Sequence, residues 1–354
     1  MNGYERIKAA LEGTMPDRRP VMLHNFMVAT REAGYTMKQY REDPEIAANC
    51  HIRFVEKYGV DGILFDVDTA VMACSVGVPV DYPEDEPART HEIYLNSLDE
   101  IDKLYEFDIA SNLRIQHSIE TIKILKKYFK NEVFIRGNCD QAPFSLACSI
   151  RTPAFFMMDL MMEEEKAIRL IEYTTDMCAR FVRIMAEAGA DMVSNGDSPA
   201  GPNMISPDMY KRFAFPYERR MLEEAHLQGV PYLLHICGNT DRILQSLATM
   251  NLDAVELDYK TPLENICKFL GNRMTLFGTV DPSGVMALGT TDDVRRETQK
   301  ILDIYYGNPR LVIGAGCAIP PIAPEKNIRT IIQTAHEAEM QINKTEYGES
   351  NNSF

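Results

Sequence analysis

Residues 233–240 read LLHICGNT: an apolar run that places His235 and Cys237 two residues apart just before a Gly-Asn turn. An apolar stretch of this length followed by turn chemistry reads as a buried strand ending at a loop. The same grammar recurs along the chain. The further candidate strands are VMLHNF (21–26), GILFDV (62–67), VFIRGNC (133–139), DMVSNGD (191–197), AVELD (254–258), MTLFGTV (274–280) and LVIGAGC (311–317); with YLLHIC (232–237) they make eight. Between them lie amphipathic stretches such as PEIAANCHIRFVEKYG and TDDVRRETQKILDIYYG, ending at or near Gly as helices do. Eight strand-then-helix units predict an α/β fold, a (β/α)8 TIM barrel with an N-terminal helical extension.

The segment from about 69 to 132 is too long for one crossover, and VPVDYPEDEPART within it is acidic and turn-rich. It predicts an excursion between strands 2 and 3 that covers part of the barrel mouth. Residues 1–345 read as a single barrel domain and 346–354 as a polar C-terminal tail. A doubly wound sheet also alternates strands with helices, but its G-x-G-x-x-G fingerprint is missing after the first strand.

Composition narrows the function. The chain has 354 residues and a formal charge of -15, with acids scattered along it and no basic stripe for nucleic acid or anionic lipid. It has no secretory h-region and no uncharged span of membrane length, which predicts a cytoplasmic protein. Its eight cysteines then read as reduced thiols, packed mostly as small hydrophobes.

Barrel enzymes build their sites from the C-terminal ends of the strands. Those ends here carry His24, Asp66, Asp68, Asn195, Asp197, His235, Cys237, Asp258, Asp281 and Cys317. Residues i and i+2 of a strand share a face, so His235 and Cys237 can both point to the barrel axis and meet Cys317. One nitrogen and two sulfurs with a fourth position open is the donor set of a catalytic zinc, although H-x-C spacing alone is commonplace. The aspartates also have a plain reading as caps and loop anchors. Asp197 is the favoured pocket-lining carboxylate, because SNGDSPAGPNMIS is a polar, Gly/Pro-rich loop. His24, Asp66, Asp68 and Asp281 are the further candidates around the cofactor, with a core or rim role as the alternative for His24. The Met-rich FFMMDLMMEEE (155–165) reads as helix packing.

The pieces DRRPV (17–21), GADMVSNGD (189–197), HICGNT (235–240), GTVDPS (278–283) and GAGCAIPPIAPEKNI (314–328) resemble the uroporphyrinogen decarboxylase superfamily, in order and over nearly the whole chain. The H-x-C plus late Cys pattern is similar to its zinc-dependent branch, the methylcobamide:coenzyme M methyltransferases. The resemblance implies Zn2+ on His235, Cys237 and Cys317, and a methylcorrinoid presented by a separate carrier protein. It also implies a thiol acceptor, which Asp197 is expected to hydrogen-bond. Reversed flow is the alternative: a methoxylated or methylated small molecule would load a Co(I) corrinoid. A non-catalytic zinc-bearing barrel stays open. Porphyrinogen decarboxylation fits less well, since the W-x-M-R-Q-A-G-R motif is replaced by VMLHNFMVATREAGY, with only Arg31 nearby, and Asp66 and Asp68 bracket the decarboxylase aspartate position without matching it.

Overall fold

The computed structural model describes residues 1–348 except Val67 and His91, with side chains to residue 338. Eight parallel strands form the sheet: β1 Met22–Leu23, β2 Gly62–Phe65, β3 Phe134–Gln141, β4 Met192–Gly196, β5 Tyr232–Ile236, β6 Ala254–Leu257, β7 Thr275–Phe277 and β8 Leu311–Val312. They pair in chain order. Val21 bridges Ile313, with Met22 N donating to Ile313 O at 3.0 Å and Ile313 N to Pro20 O at 2.8 Å, so the last strand returns to the first and the barrel closes.

The barrel interior is layered by the two-residue period of its strands. Met22, Leu64, Phe134, Met192, Leu233, Ala254, Phe277 and Val312, one from each strand, form a separate apolar cluster inside the barrel. The N-terminal helix Gly3–Glu12 seals that layer, inserting Ile7 and Ala10 into the cluster. Asn2 and Glu5 form a capping box at its start, and Thr275 Oγ1 donates to Ala10 O at 2.9 Å near its end. Two residues further along the same strand faces stand His24, Asp66, Arg136, Ser194, His235 and Glu256. The barrel is therefore apolar at its N-terminal end and polar toward its C-terminal mouth.

Several strands are shorter than their sequence runs. The helix Phe26–Ala33 begins inside the stretch expected as the first strand, and β7 and β8 give way to loops around Gly278 and Gly314. The stretch 206–229 is two helices, Pro207–Phe213 and Phe215–Leu227, because Pro216 cannot continue the first. Between β2 and β3 the chain makes a two-stranded antiparallel ribbon, Val80–Asp81 with Arg89–Thr90, and then the helix Leu113–Phe129. The Met-rich stretch forms the helix Pro153–Met162, which buries Phe156 and Leu160 but leaves Met158, Met161 and Met162 exposed, unlike the packed helix expected. The C-terminal helix reaches Gly348, so it includes 346–348 of the expected tail, while 349–354 lie outside the described residues. Among the described residues no helix is long and apolar enough to cross a membrane.

Ile7 is fully buried among strand side chains that cannot reach across the barrel to replace it. Ile7→Ala should lower unfolding stability by about 2–5 kcal/mol, measured by urea denaturation.

Candidate metal centre

His235 is the second residue after Leu233 on the inward face of β5, and Cys237 follows it just past the strand end. Gly238 then turns the chain with φ +85°, where a side chain would also collide with Asn203, its nearest atom 2.6 Å away. The turn is held by Asp258, which accepts from Gly238 N at 2.8 Å and Lys260 N at 3.0 Å. Cys317 arrives from the loop after β8. A Cβ on Gly316 would sit 2.9 Å from Leu257 O, so only glycine lets that loop lie this close to the end of β6.

The three donors converge. His235 Nε2 is 3.0 Å from Cys237 Sγ, Cys237 Sγ is 3.7 Å from Cys317 Sγ, and all the donor atoms lie within 4.8 Å of one another. The sulfurs are far beyond disulfide length. Their spacing is close to the edge of a tetrahedron with metal–sulfur bonds of about 2.3 Å. The set therefore fits Zn2+, with widening at the short His235–Cys237 edge. A hydrogen bond from Cys317, then the His235 charge, draws the Cys237 thiol down to about 3 in spite of burial. Burial alone would depress His235, but Cys237 and Glu256 hold its imidazole well above the ordinary range.

Behind the donors lies the polar layer. Glu256 is in register with His235, and its Oε1 lies 3.2 Å from His235 Nδ1, on the side of the ring away from the sulfurs that Nε2 faces. The other Glu256 oxygen is paired with Arg136, whose Nε donates to Ser194 Oγ at 2.9 Å. Burial opposes the Glu256 charge, yet Arg136 and the two histidines keep its carboxyl well below the usual range. His24 stands on the other side, 2.8 Å from Asp66 Oδ2 and 3.7 Å from Glu256 Oε1.

A cavity of about 740 Å³ opens above this layer, lined by His24, Asp66, Asp68, His235, Cys237 and Cys317 among others, and by Pro87, Arg89 and Thr90 of the excursion. The excursion thus covers part of the mouth. Asp68 lines the cavity, but its oxygens are engaged by Arg41 and by Ala88 N at 2.9 Å, so it anchors the excursion. Two of the expected residues lie outside this cavity. Asp281 is away from this cavity, and its carboxylate caps the segment Pro282–Ala287 by accepting from Ser283 N and Gly284 N. Asp197 does not line the cavity either: it is fully buried, its Oδ1 accepting from Ser145 N at 2.8 Å and Ser145 Oγ at 2.6 Å. Glu218 is its buried neighbour, and burial pushes both carboxyls up. Arg31, the arginine nearest the missing decarboxylase motif, donates to the carbonyls of Pro321 and Ala323.

Glu256, Arg136 and Glu218 were not singled out from the sequence. The signal for the first two was present: a charge inside an otherwise apolar strand, at even spacing from the polar strand end, in VFIRGNC and AVELD. Glu218 lies within a helix that also carries the exposed Glu223 and the buried Glu224, and its sequence carries no mark that separates it from them.

The barrel mouth carries a His/Cys/Cys cluster whose donor atoms could hold a metal ion. The uroporphyrinogen decarboxylase (URO-D) family model matches residues 2–338, and the chain belongs to that family. It is 29% identical over 351 residues to a uroporphyrinogen decarboxylase of Syntrophotalea carbinolica, covering 94% of this chain and 97% of the relative. It is 26% identical over 271 residues to the methylcobamide:CoM methyltransferase MtbA of Methanosarcina acetivorans, covering 77% of each. A solved structure described as a methyltransferase from Methanosarcina mazei has the same fold, with a TM-score of 0.85 at 21% identity over 97% of this chain and 99% of that one.

Removing the carboxylate that orients a metal-ligating histidine costs about 10–100-fold in metal affinity. Glu256→Gln should weaken zinc binding by that factor in a competition titration with a chelator, and Cys237→Ser or Cys317→Ser should weaken it further. A second expectation concerns pH. Burial raises the Asp197 carboxyl to about 6, so the folded chain binds more protons than the unfolded one between about pH 4 and 6. The stability this group contributes is complete below its unfolded value and is lost as pH rises through 6. In Asp197→Asn the urea midpoint should fall less steeply across that window.

Proposed function

We propose that this chain is a corrinoid-dependent methyltransferase, moving a methyl group between a methylcorrinoid on a carrier protein and a small thiol held at a Zn2+ site of His235, Cys237 and Cys317. The observation that carries the reading is the convergence of one imidazole and two thiols on the floor of an open cavity, with Glu256 behind the imidazole. A closed structural site would have four protein ligands; this one leaves a position toward the cavity.

Zn2+ there supplies a Lewis acid that keeps an incoming thiol deprotonated at neutral pH. The protein does the rest. Glu256 Oε1 faces His235 Nδ1 at 3.2 Å and leaves Nε2 free for the ion, and Arg136 neutralises Glu256 so that its charge survives burial. In the transfer a sulfur–carbon bond forms as the cobalt–carbon bond breaks. Both electrons of the broken bond stay on cobalt as Co(I), and the thiol proton leaves to solvent. The cavity holds the thiol; the macrocycle stays with its carrier at the mouth. A chain of this family without the arginine-bearing decarboxylase motif, and with Arg31 committed to backbone carbonyls, is poorly equipped to grip porphyrinogen carboxylates.

His24, which lines the cavity and is held by Asp66, favours a second reading with reversed flow, since it is placed to give a proton to the leaving group of a methylated substrate.

The test is anaerobic incubation of zinc-loaded protein with methylcobalamin and a thiol panel, followed by cobalt absorbance. Thiol-dependent demethylation is expected, falling at least 100-fold in Cys317→Ala. Demethylation that Cys317→Ala does not slow contradicts the reading; turnover only from methylated donors onto Co(I) selects the reversed one.

A further inference from the structure

The cavity above the metal centre has a charge pattern that methyl transfer to a thiol does not itself require. Its carboxylates are Asp66, Asp68, Glu92, Asp140 and Glu256, against the guanidinium groups of Arg89 and Arg136. Arg136 is committed to Glu256 and Ser194 in the interior, and Arg89 pairs with Glu86 at 3.0 Å on the exposed rim. His24 lies between Asp66 and Glu256. Among the described lining residues, then, no cationic side chain lacks an acidic partner. Two thiolates on one Zn2+ add no net charge.

Asp140 has an oxygen that faces neither a hydrogen-bond donor nor a cation at ion-pair distance among the described residues. Asp140 is 5% exposed; its Oδ2 accepts from Met72 N at 2.7 Å, and its Oδ1 is buried without any hydrogen-bond partner. Its backbone is left-handed, φ +57°, where the β3–β4 register shifts between Asn138 and Gln141. Such a bulge re-aims a side chain at the rim of a barrel. A buried acceptor without a donor is unfavourable, and a ligand that brings the donor removes the penalty. An anionic ligand end would bring Asp140 no donor, and the cations nearest it, His24 beside Asp66, Arg41 beside Asp68 and Arg136 beside Glu256, each already face a carboxylate.

We propose that this cavity selects a substrate whose end remote from the reacting atom is a hydrogen-bond donor, an ammonium before a hydroxyl, received by Asp140, and that it discriminates against an anionic end such as a sulfonate. This rests on the thiol-methyltransferase reading.

Three two-carbon thiols that differ only in that end separate the cases: cysteamine, 2-mercaptoethanol and 2-mercaptoethanesulfonate. Each is titrated into Co(II)-loaded protein, following the thiolate-to-cobalt charge-transfer band and correcting for the thiol's own ionisation. Cysteamine should bind tightest and the sulfonate at least tenfold more weakly than cysteamine. Asp140→Asn, a residue that tolerates positive φ, should reduce that ratio to threefold or less. A sulfonate that binds as tightly as cysteamine overturns the proposal. So does a cysteamine preference that survives Asp140→Asn, since coordination of its amine to cobalt would not depend on Asp140. If none of the three binds, the thiol reading itself fails and takes this inference with it.

Discussion

The buried ion pair between Arg136 and Glu256 is the constraint on which the centre depends. A carboxylate inside a barrel is stable as a charge only with a partner, and removing one member of such a pair leaves the other uncompensated. Arg136 supplies the partner from β3, across the barrel axis from β6. With one oxygen so engaged, Glu256 has the other for the ring nitrogens of His235 and His24. The carboxylate that faces the His235 imidazole is therefore held by a residue two strands away from that of His235.

That arrangement follows from strand periodicity. On β5 the inward positions are Leu233, then His235; on β6 they are Ala254, then Glu256; on β3, Phe134, then Arg136. The first member of each pair packs against the N-terminal helix and the second faces the mouth. Stability and chemistry are thus stacked along one axis, and the apolar layer beneath keeps water from entering the polar layer from below.

The eight-strand architecture was legible because apolar runs ending in polar residues survive as a local signal. The His235, Cys237 and Cys317 cluster was legible because its first two members share a strand face and the third ends another strand. The aspartates were harder. Asp66 lines the cavity, whereas Asp197 and Asp281 serve as a buried hydrogen-bond acceptor and a helix-type cap, and a strand-end aspartate looks the same in all three roles. Asp197 is held by Ser145, 52 positions earlier, beside the buried Glu218, and no local pattern joins them. Strand ends were overestimated wherever glycines let the backbone leave the sheet early, as after β7 and β8.

The central claim is a zinc centre with three protein ligands and one exchangeable position. X-ray absorption at the zinc edge of the purified protein tests it most directly. The account predicts two sulfurs and one imidazole nitrogen plus a light-atom ligand, with a third sulfur replacing that light atom when a thiol is added. A shell of four protein ligands that does not change with thiol, or a shell without sulfur, would contradict it.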